Sequence, residues 1–262
     1  MGVSDSGRVR KALLFSDLHL GWTVCGRLHH ALMDRIHEAA GDAELIVMNG
    51  DIIDVYRPPP RSIESEVIAR FVEVVNGWRA EGRRVVYVEG NHDHVEHAPR
   101  LPISPETWLF DWEGALGERI RVTHGHRFSD EPYHLGSYER YGRHILRFEN
   151  DVYGKIETMH RTYPFGLGWL VGAIGWTEDM LWTRDFPGRA RPLLPGVDVL
   201  VHGHFHFGKG HWHIGKLPLW RTGAWVSHGH KGSVDRMLRY EDGRFQRIGL
   251  GPRGFRPIDD GR

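Results

Sequence analysis

The sequence predicts an α/β protein. Three observations carry that expectation: short apolar runs rich in β-branched residues recur five times, helical segments with one apolar face separate the early ones, and each run ends in a cluster drawn from Asp, Asn, His and Gly. Apolar runs bounded by Gly and polar residues read as buried strands. Strand–helix alternation builds a sheet that collects ligands at the carboxyl ends of its strands, where all five clusters sit.

The first run, Lys11 to Phe15, leads into Ser16-Asp17-Leu18-His19. Leu28, Leu32 and Ile36 then mark a short helix stopped by Gly41. The second run, Glu44 to Met48, leads into Asn49-Gly50-Asp51. A longer helix follows, with Ile63, Val67, Ile68, Phe71, Val74, Val75 and Trp78 on one face and Gly82 closing it. Arg84 to Val88 ends in Gly90-Asn91-His92-Asp93, and Arg119 to Val122 ends in Thr123-His124-Gly125-His126. The fifth run, Val197 to Val201, meets His202-Gly203-His204-Phe205-His206.

Between the fourth and fifth runs the pattern breaks. Residues 128–195 read as an inserted helical cap rich in aromatics, carried by a single domain over 1–262. Asp235–Tyr240 and Arg244–Ile248 form a hairpin around Asp242-Gly243. The Gly-, Pro- and charge-rich tail, 251–262, is expected to be flexible.

Composition narrows the class further. Thirty-four basic residues balance 34 acidic ones, which argues against a protein that holds nucleic acid by bulk charge. No nucleic-acid partner is therefore expected. The single cysteine, Cys25, makes no intramolecular disulfide, which points to a reducing, cytoplasmic compartment. The uncharged stretch Thr162–Thr177 falls short of the ~20 residues that span a bilayer.

The clusters supply Asp17, His19, Asp51, Asn91, His124, His204 and His206: three oxygen-bearing and four imidazole side chains, without a thiolate. One divalent ion does not need seven ligands, whereas two ions sharing a carboxylate do. Mixed N/O donors suit Mn, Fe, Zn or Co and disfavour Mg or Ca. Each fragment alone is weak; the ordered set behind successive strands is specific.

Asp17-Leu18-His19, Gly50-Asp51-Ile52-Ile53-Asp54, Gly90-Asn91-His92-Asp93, His124-Gly125 and Gly203-His204-Phe205-His206 together resemble the calcineurin-like metallophosphoesterases in order and completeness. The resemblance implies a four-layer fold, a two-sheet β-sandwich flanked by helices. It implies that Asp17, His19 and His206 hold one metal ion, that Asn91, His124 and His204 hold the other, and that Asp51 bridges them. Two divalent ions, manganese foremost, would activate a bridging hydroxide to cleave a phosphoester or pyrophosphate bond. His92, held by Asp93, would serve the leaving oxygen, while Asp54 would orient its own loop.

The substrate is sought in the cap. Arg140, Arg143, Arg147 and Tyr133 precede an apolar, Trp-rich stretch, which suits an amphipathic substrate with a phosphate head and an acyl tail, or peripheral contact with a membrane face. Asp17-Leu18-His19-Leu20-Gly21 and the insertion after the fourth motif more loosely resemble the UDP-2,3-diacylglucosamine pyrophosphatases, although that group carries Arg where His92 stands and Asp where His126 stands. A broad-specificity phosphodiesterase or phosphatase acting on soluble nucleotides or phosphoproteins is the alternative enzyme. A non-catalytic scaffold of the same fold is the third reading.

Overall fold

The computed structural model describes residues 7–20, 29–54, 66–93, 103–128, 188, 190–204, 210–223, 225, 236–251 and 254–258. Eleven strands in these segments form two sheets. The first sheet comprises β1 (Lys11–Phe15), β2 (Leu45–Asn49), β3 (Arg84–Val88), β9 (Arg236–Glu241), β10 (Arg244–Gly251) and β11 (Gly254–Pro257), in the order β11-β10-β9-β1-β2-β3. The second comprises β4 (Leu109–Glu113), β5 (Arg119–Thr123), β6 (Val199–His202), β7 (His211–Ile214) and β8 (Leu217–Arg221), in the order β4-β5-β6-β8-β7.

Two helices, α1 (His29–Ala40) and α2 (Glu66–Ala80), connect the parallel strands β1, β2 and β3. Period-2 alternation along β1 explains the layering. Leu13 and Phe15 face the helices, where Met33, Ile36, Phe71, Val75 and Trp78 bury their apolar stripe. Ala12 and Leu14 face the second sheet and pack with Phe110, Trp112, Ile120, Val122, Val199 and Val201. A smaller cluster of Ala190, Leu200 and Leu219 forms on the other face of the second sheet. This is the sandwich with flanking helices that the motifs imply.

All five expected runs are strands, and both helices stop where glycine takes a left-handed conformation, Gly41 at φ 46° and Gly82 at φ 81°. The Asp242-Gly243 hairpin is present, with φ of 47° and 86° as a tight two-residue turn requires. The tail needs correction. Gly254–Pro257 is not loose chain but an edge strand, antiparallel to β10 with Ile248 opposite Pro257. The unpaired outer edge of β10 provides its partner, and Pro257 is tolerated because an edge strand needs donors on one side only. Of the expected cap, only residue 128, residue 188 and residues 190–195 fall within the described chain.

Candidate metal centre

The ligand loops continue the strand pairing past the strand ends, and this sets their register. Beyond β1 and β2, Asp17 N donates to Gly50 O (3.0 Å), His19 N to Asp51 O (2.9 Å) and Leu20 N to Ile52 O (2.8 Å). Beyond β5 and β6, Gly203 N donates to His124 O (2.9 Å). The two sheets are tied at the same place: Asn49, ending β2, donates from Nδ2 to Thr123 O, ending β5, at 3.1 Å.

Described candidate ligands converge there. Three groups each bring one ligand atom per residue within 4.8 Å of one another: His19, Asp54 and His92; Asp51, His124 and His204; Asp17, His19 and Asp51. Asp17, His19, Asp51, Asn91, His92 and His124 are all buried. Glycine makes the crowding possible. A Cβ on Gly50 would lie 2.5 Å from the His124 ring, and one on Gly90 would lie 2.3 Å from Asp51 Oδ1.

The imidazoles present lone pairs to the carboxylates. His124 Nδ1 lies 2.7 Å from Asn49 O, and since a carbonyl only accepts, Nδ1 carries the proton. His124 Nε2 then faces Asp51 Oδ2 at 3.2 Å and Asp17 Oδ1 at 4.0 Å, with no hydrogen bond of good geometry among the described residues. A buried lone pair aimed at two carboxylates calls for a cation between them. In the metal-free chain a proton fills that need: burial would push His124 down, but the charges of Asp51 and Asp17 push it up to about 10. Burial also favours neutral Asp51, yet His124, His92 and His19 around it hold it well below the usual carboxylate range. His19 is driven down to about 4, mainly by burial. Its Nδ1 donates to Asp54 Oδ2 (3.1 Å), so neutral His19 turns its Nε2 lone pair toward Asp51 Oδ2, 3.8 Å away. These donors fit divalent ions of the Mn, Fe, Co and Zn type.

The carboxylate facing His92 is a correction to the motif reading. His92 Nδ1 lies 3.1 Å from Asp54 Oδ2, and the two rings of His19 and His92 meet edge to face at 4.7 Å. Asp93 is occupied elsewhere: it accepts from Gly90 N (2.7 Å), Ile52 N (2.7 Å) and the Tyr87 hydroxyl (2.6 Å). Asp93 thus clamps the loop of Asp51 to the loop of Asn91, while Asp54 accepts a hydrogen bond from His19 and stands at ion-pair distance from His92. Burial and the nearby Asp51 charge push Asp93 up to about 6.

Sequence reading missed two supporting residues. Asn49, which ends β2, fixes the His124 tautomer through its carbonyl. Ser16 sits against the Asp17 carboxylate, Thr222 Oγ1 (2.6 Å) and Gly223 O (2.8 Å), so it anchors the first ligand loop to the chain after β8. A polar residue within two positions before a ligand was the available signal for both. His206, Tyr133, Arg140, Arg143 and Arg147 lie outside the described residues. His202, which opens the last cluster, is buried with its ring edge to face on Trp212 at 5.1 Å and its Nδ1 bonded to Gly203 O.

The family model described as calcineurin-like phosphoesterase matches residues 10–208. The chain belongs to the calcineurin-like phosphoesterase family. With its clusters of His and Asp, it is a metal-dependent phosphoester hydrolase with a dinuclear divalent metal site. Among solved structures it is similar to Yfce, a phosphoesterase from E. coli, at 18% identity and a TM-score of 0.49, covering 95% of this chain and 98% of that one. A dimetal phosphatase from Danio rerio matches at 13% identity and a TM-score of 0.45, covering 93% and 100% of the two chains. The cold-active protein-tyrosine phosphatase of a psychrophilic Shewanella matches at 13% identity and 0.45, covering 96% and 81%. No curated protein sequence matches. No helix among the described residues is long and apolar enough to cross a membrane.

Proposed function

We propose that this phosphoesterase cleaves a phosphoester or pyrophosphate bond in an amphipathic substrate, a nucleotide-linked lipid of the UDP-2,3-diacylglucosamine kind, using manganese as its working metal. The observation that carries the hydrolytic reading is His124, with Nδ1 spent on Asn49 O and Nε2 facing Asp51 and Asp17. In this reading Asp17, His19 and His206 hold one ion, Asn91, His124 and His204 the other, and Asp51 serves both. Bound there, two divalent ions supply Lewis-acid charge that activates water and neutralises phosphoryl oxygens.

The residues of the chain do the rest. Asp51 is placed by the His92 backbone N–H, which donates to its Oδ1 at 2.8 Å. Asp54, with Oδ2 3.1 Å from His92 Nδ1, would stabilise the imidazolium by its charge, so that Nε2 releases a proton to the departing oxygen. The amphipathic substrate is supported by sequence: Arg140, Arg143, Arg147 and Tyr133 precede Trp169, Trp176 and Trp182. Such a segment also suits contact with the inner face of a membrane from the cytoplasm.

The test runs detergent-dispersed UDP-2,3-diacylglucosamine beside bis(p-nitrophenyl) phosphate, with Mn(II) and after chelation. The expected result is metal-dependent turnover of both with preference for the lipid. Fast turnover of the soluble diester and none of the lipid would transfer the assignment to a broad-specificity phosphodiesterase. Failure of the metal-loaded protein on every phosphoester would favour a scaffold.

A further inference from the structure

We propose that His126 is a catalytic residue, an imidazole that donates a hydrogen bond to a non-bridging oxygen of the phosphoryl group under attack. The inference rests on the hydrolytic reading above and adds to it a substrate contact besides His92.

His126 opens the 3-10 turn His126–Phe128 and is 2% exposed. Between it and His124 stands Gly125 at φ 107°, a conformation that a side chain does not adopt comfortably. The chain so turned sets the His126 ring 5.6 Å from that of His124 and 6.4 Å from that of His204. Those two rings lie 5.3 Å apart, so three imidazoles form a triangle. His124 and His204 converge with Asp51, whereas His126 stands outside the convergent groups among the described residues. His92 instead meets His19 and Asp54.

A phosphoryl group seated over Asp51, which His124 faces at 3.2 Å and whose Oδ1 accepts from His92 N, would therefore have two imidazoles outside the motif-assigned ligands to meet, His92 and His126. His92, backed by Asp54, suits proton delivery. His126, flanked by the His124 and His204 rings, suits N–H donation instead. Charge on the equatorial oxygens must be stabilised during transfer, and donors fixed in a dry site do this better than water. A mere packing role beside two ligand imidazoles would be filled at lower desolvation cost by an apolar residue.

The experiment uses full-length protein loaded with Mn(II), as wild type, His126→Ala and His126→Asn. Manganese binding is titrated by calorimetry, kcat and KM are measured on bis(p-nitrophenyl) phosphate, and inorganic phosphate is titrated into each loaded protein. We expect unchanged manganese stoichiometry and affinity in both variants. In His126→Ala, kcat and kcat/KM should fall together by about 10–100-fold, the scale of a lost hydrogen bond to a charged group, and phosphate should bind more weakly. His126→Asn, which keeps an N–H donor, should recover part of each loss. Loss of manganese in the variants, equal behaviour of Ala and Asn, or unchanged kcat and phosphate affinity in Ala would each overturn the proposal. Should wild type hydrolyse nothing, the reaction assignment fails while phosphate binding still decides for or against the His126 contact.

Discussion

His124 donates its Nδ1 proton to the carbonyl oxygen of Asn49 at 2.7 Å, and this bond sets the character of the centre. It forces Nε2 toward Asp51, where the metal-free protein holds a second proton and His124 is pushed up to about 10 from 6.5. A histidine raised on folding stabilises the fold fully below its unfolded pKa, and that contribution disappears as pH rises through the folded one. The metal-free protein should thus lose stability between pH 6.5 and about 10. A bound ion replaces the proton, so manganese binding at pH 7.5 should expel about one proton from His124. Calorimetry in buffers of different ionisation enthalpy reads this directly. Buffer-independent heats would refute it, and His124→Asn should abolish the His124 share of the release.

Asp54 and His92 separate under mutation. His92 meets Asp54 but belongs to no motif-assigned ligand set, so His92→Ala should keep both ions and lose about 10²–10⁴-fold in kcat, the usual scale of general acid–base catalysis. Asp54 also accepts from His19, so Asp54→Asn should lower kcat and weaken one of the two ions as well. Metal stoichiometry beside steady-state kinetics distinguishes them. A His92→Ala protein that is metal-replete with wild-type kcat would remove His92 from the mechanism.

Glycine substitutions give opposite signs at different places. Gly50→Ala puts a methyl 2.5 Å from the His124 ring at φ 79°, and Gly90→Ala puts one 2.3 Å from Asp51 Oδ1. Both should destabilise the metal-free protein by about 1–3 kcal/mol through overpacking and weaken metal binding severely. Gly77 lies inside α2, where an added methyl would meet nothing within 4 Å, so Gly77→Ala should stabilise by about 0.5–1 kcal/mol and leave metal binding unchanged. Urea denaturation of the three variants tests the contrast. A stabilising Gly50→Ala would contradict the crowding around His124.

Much of this was legible because strands ending in ligand clusters announce themselves through composition: Leu45–Asn49 is apolar up to its last residue and leads into Gly50-Asp51. The ligand positions follow from those strand ends. Less legible were contacts made across the sandwich. Nothing local in Asn49 reveals that Thr123 lies opposite it, since the partner is set by how two sheets pack. Neighbours in sequence also misled: Asp93 adjoins His92, but its carboxylate turns to Tyr87 and two backbone amides, and Asp54 from a different loop takes its place. The edge strand Gly254–Pro257 was hidden by the Gly and Pro that make a tail look loose.

The ligand loops are also strained. Asp17, His19, Asp51 and His204 hold φ of 57°, 46°, 55° and 70°; the other described non-glycine residue with positive φ is Asp242, in its hairpin turn. Left-handed backbone costs a side-chain-bearing residue about 1–2 kcal/mol, so the loops are held in place by their neighbours before any ion arrives. For His204 one such hold is its N–H, which reaches Asp17 Oδ2 at 3.3 Å. His204→Gly and His204→Ala both delete the imidazole and keep that N–H, yet only Gly relieves the backbone. In metal-free protein the Gly variant should be the more stable by about 1 kcal/mol. Both should lose the same fraction of metal affinity, because strain and ligation are removed separately. Asp242→Gly against Asp242→Ala provides the control, with a similar difference and no effect on metal. Equal urea midpoints for the two His204 variants, beside a clear gap at Asp242, would show that the ligand loop stores no strain.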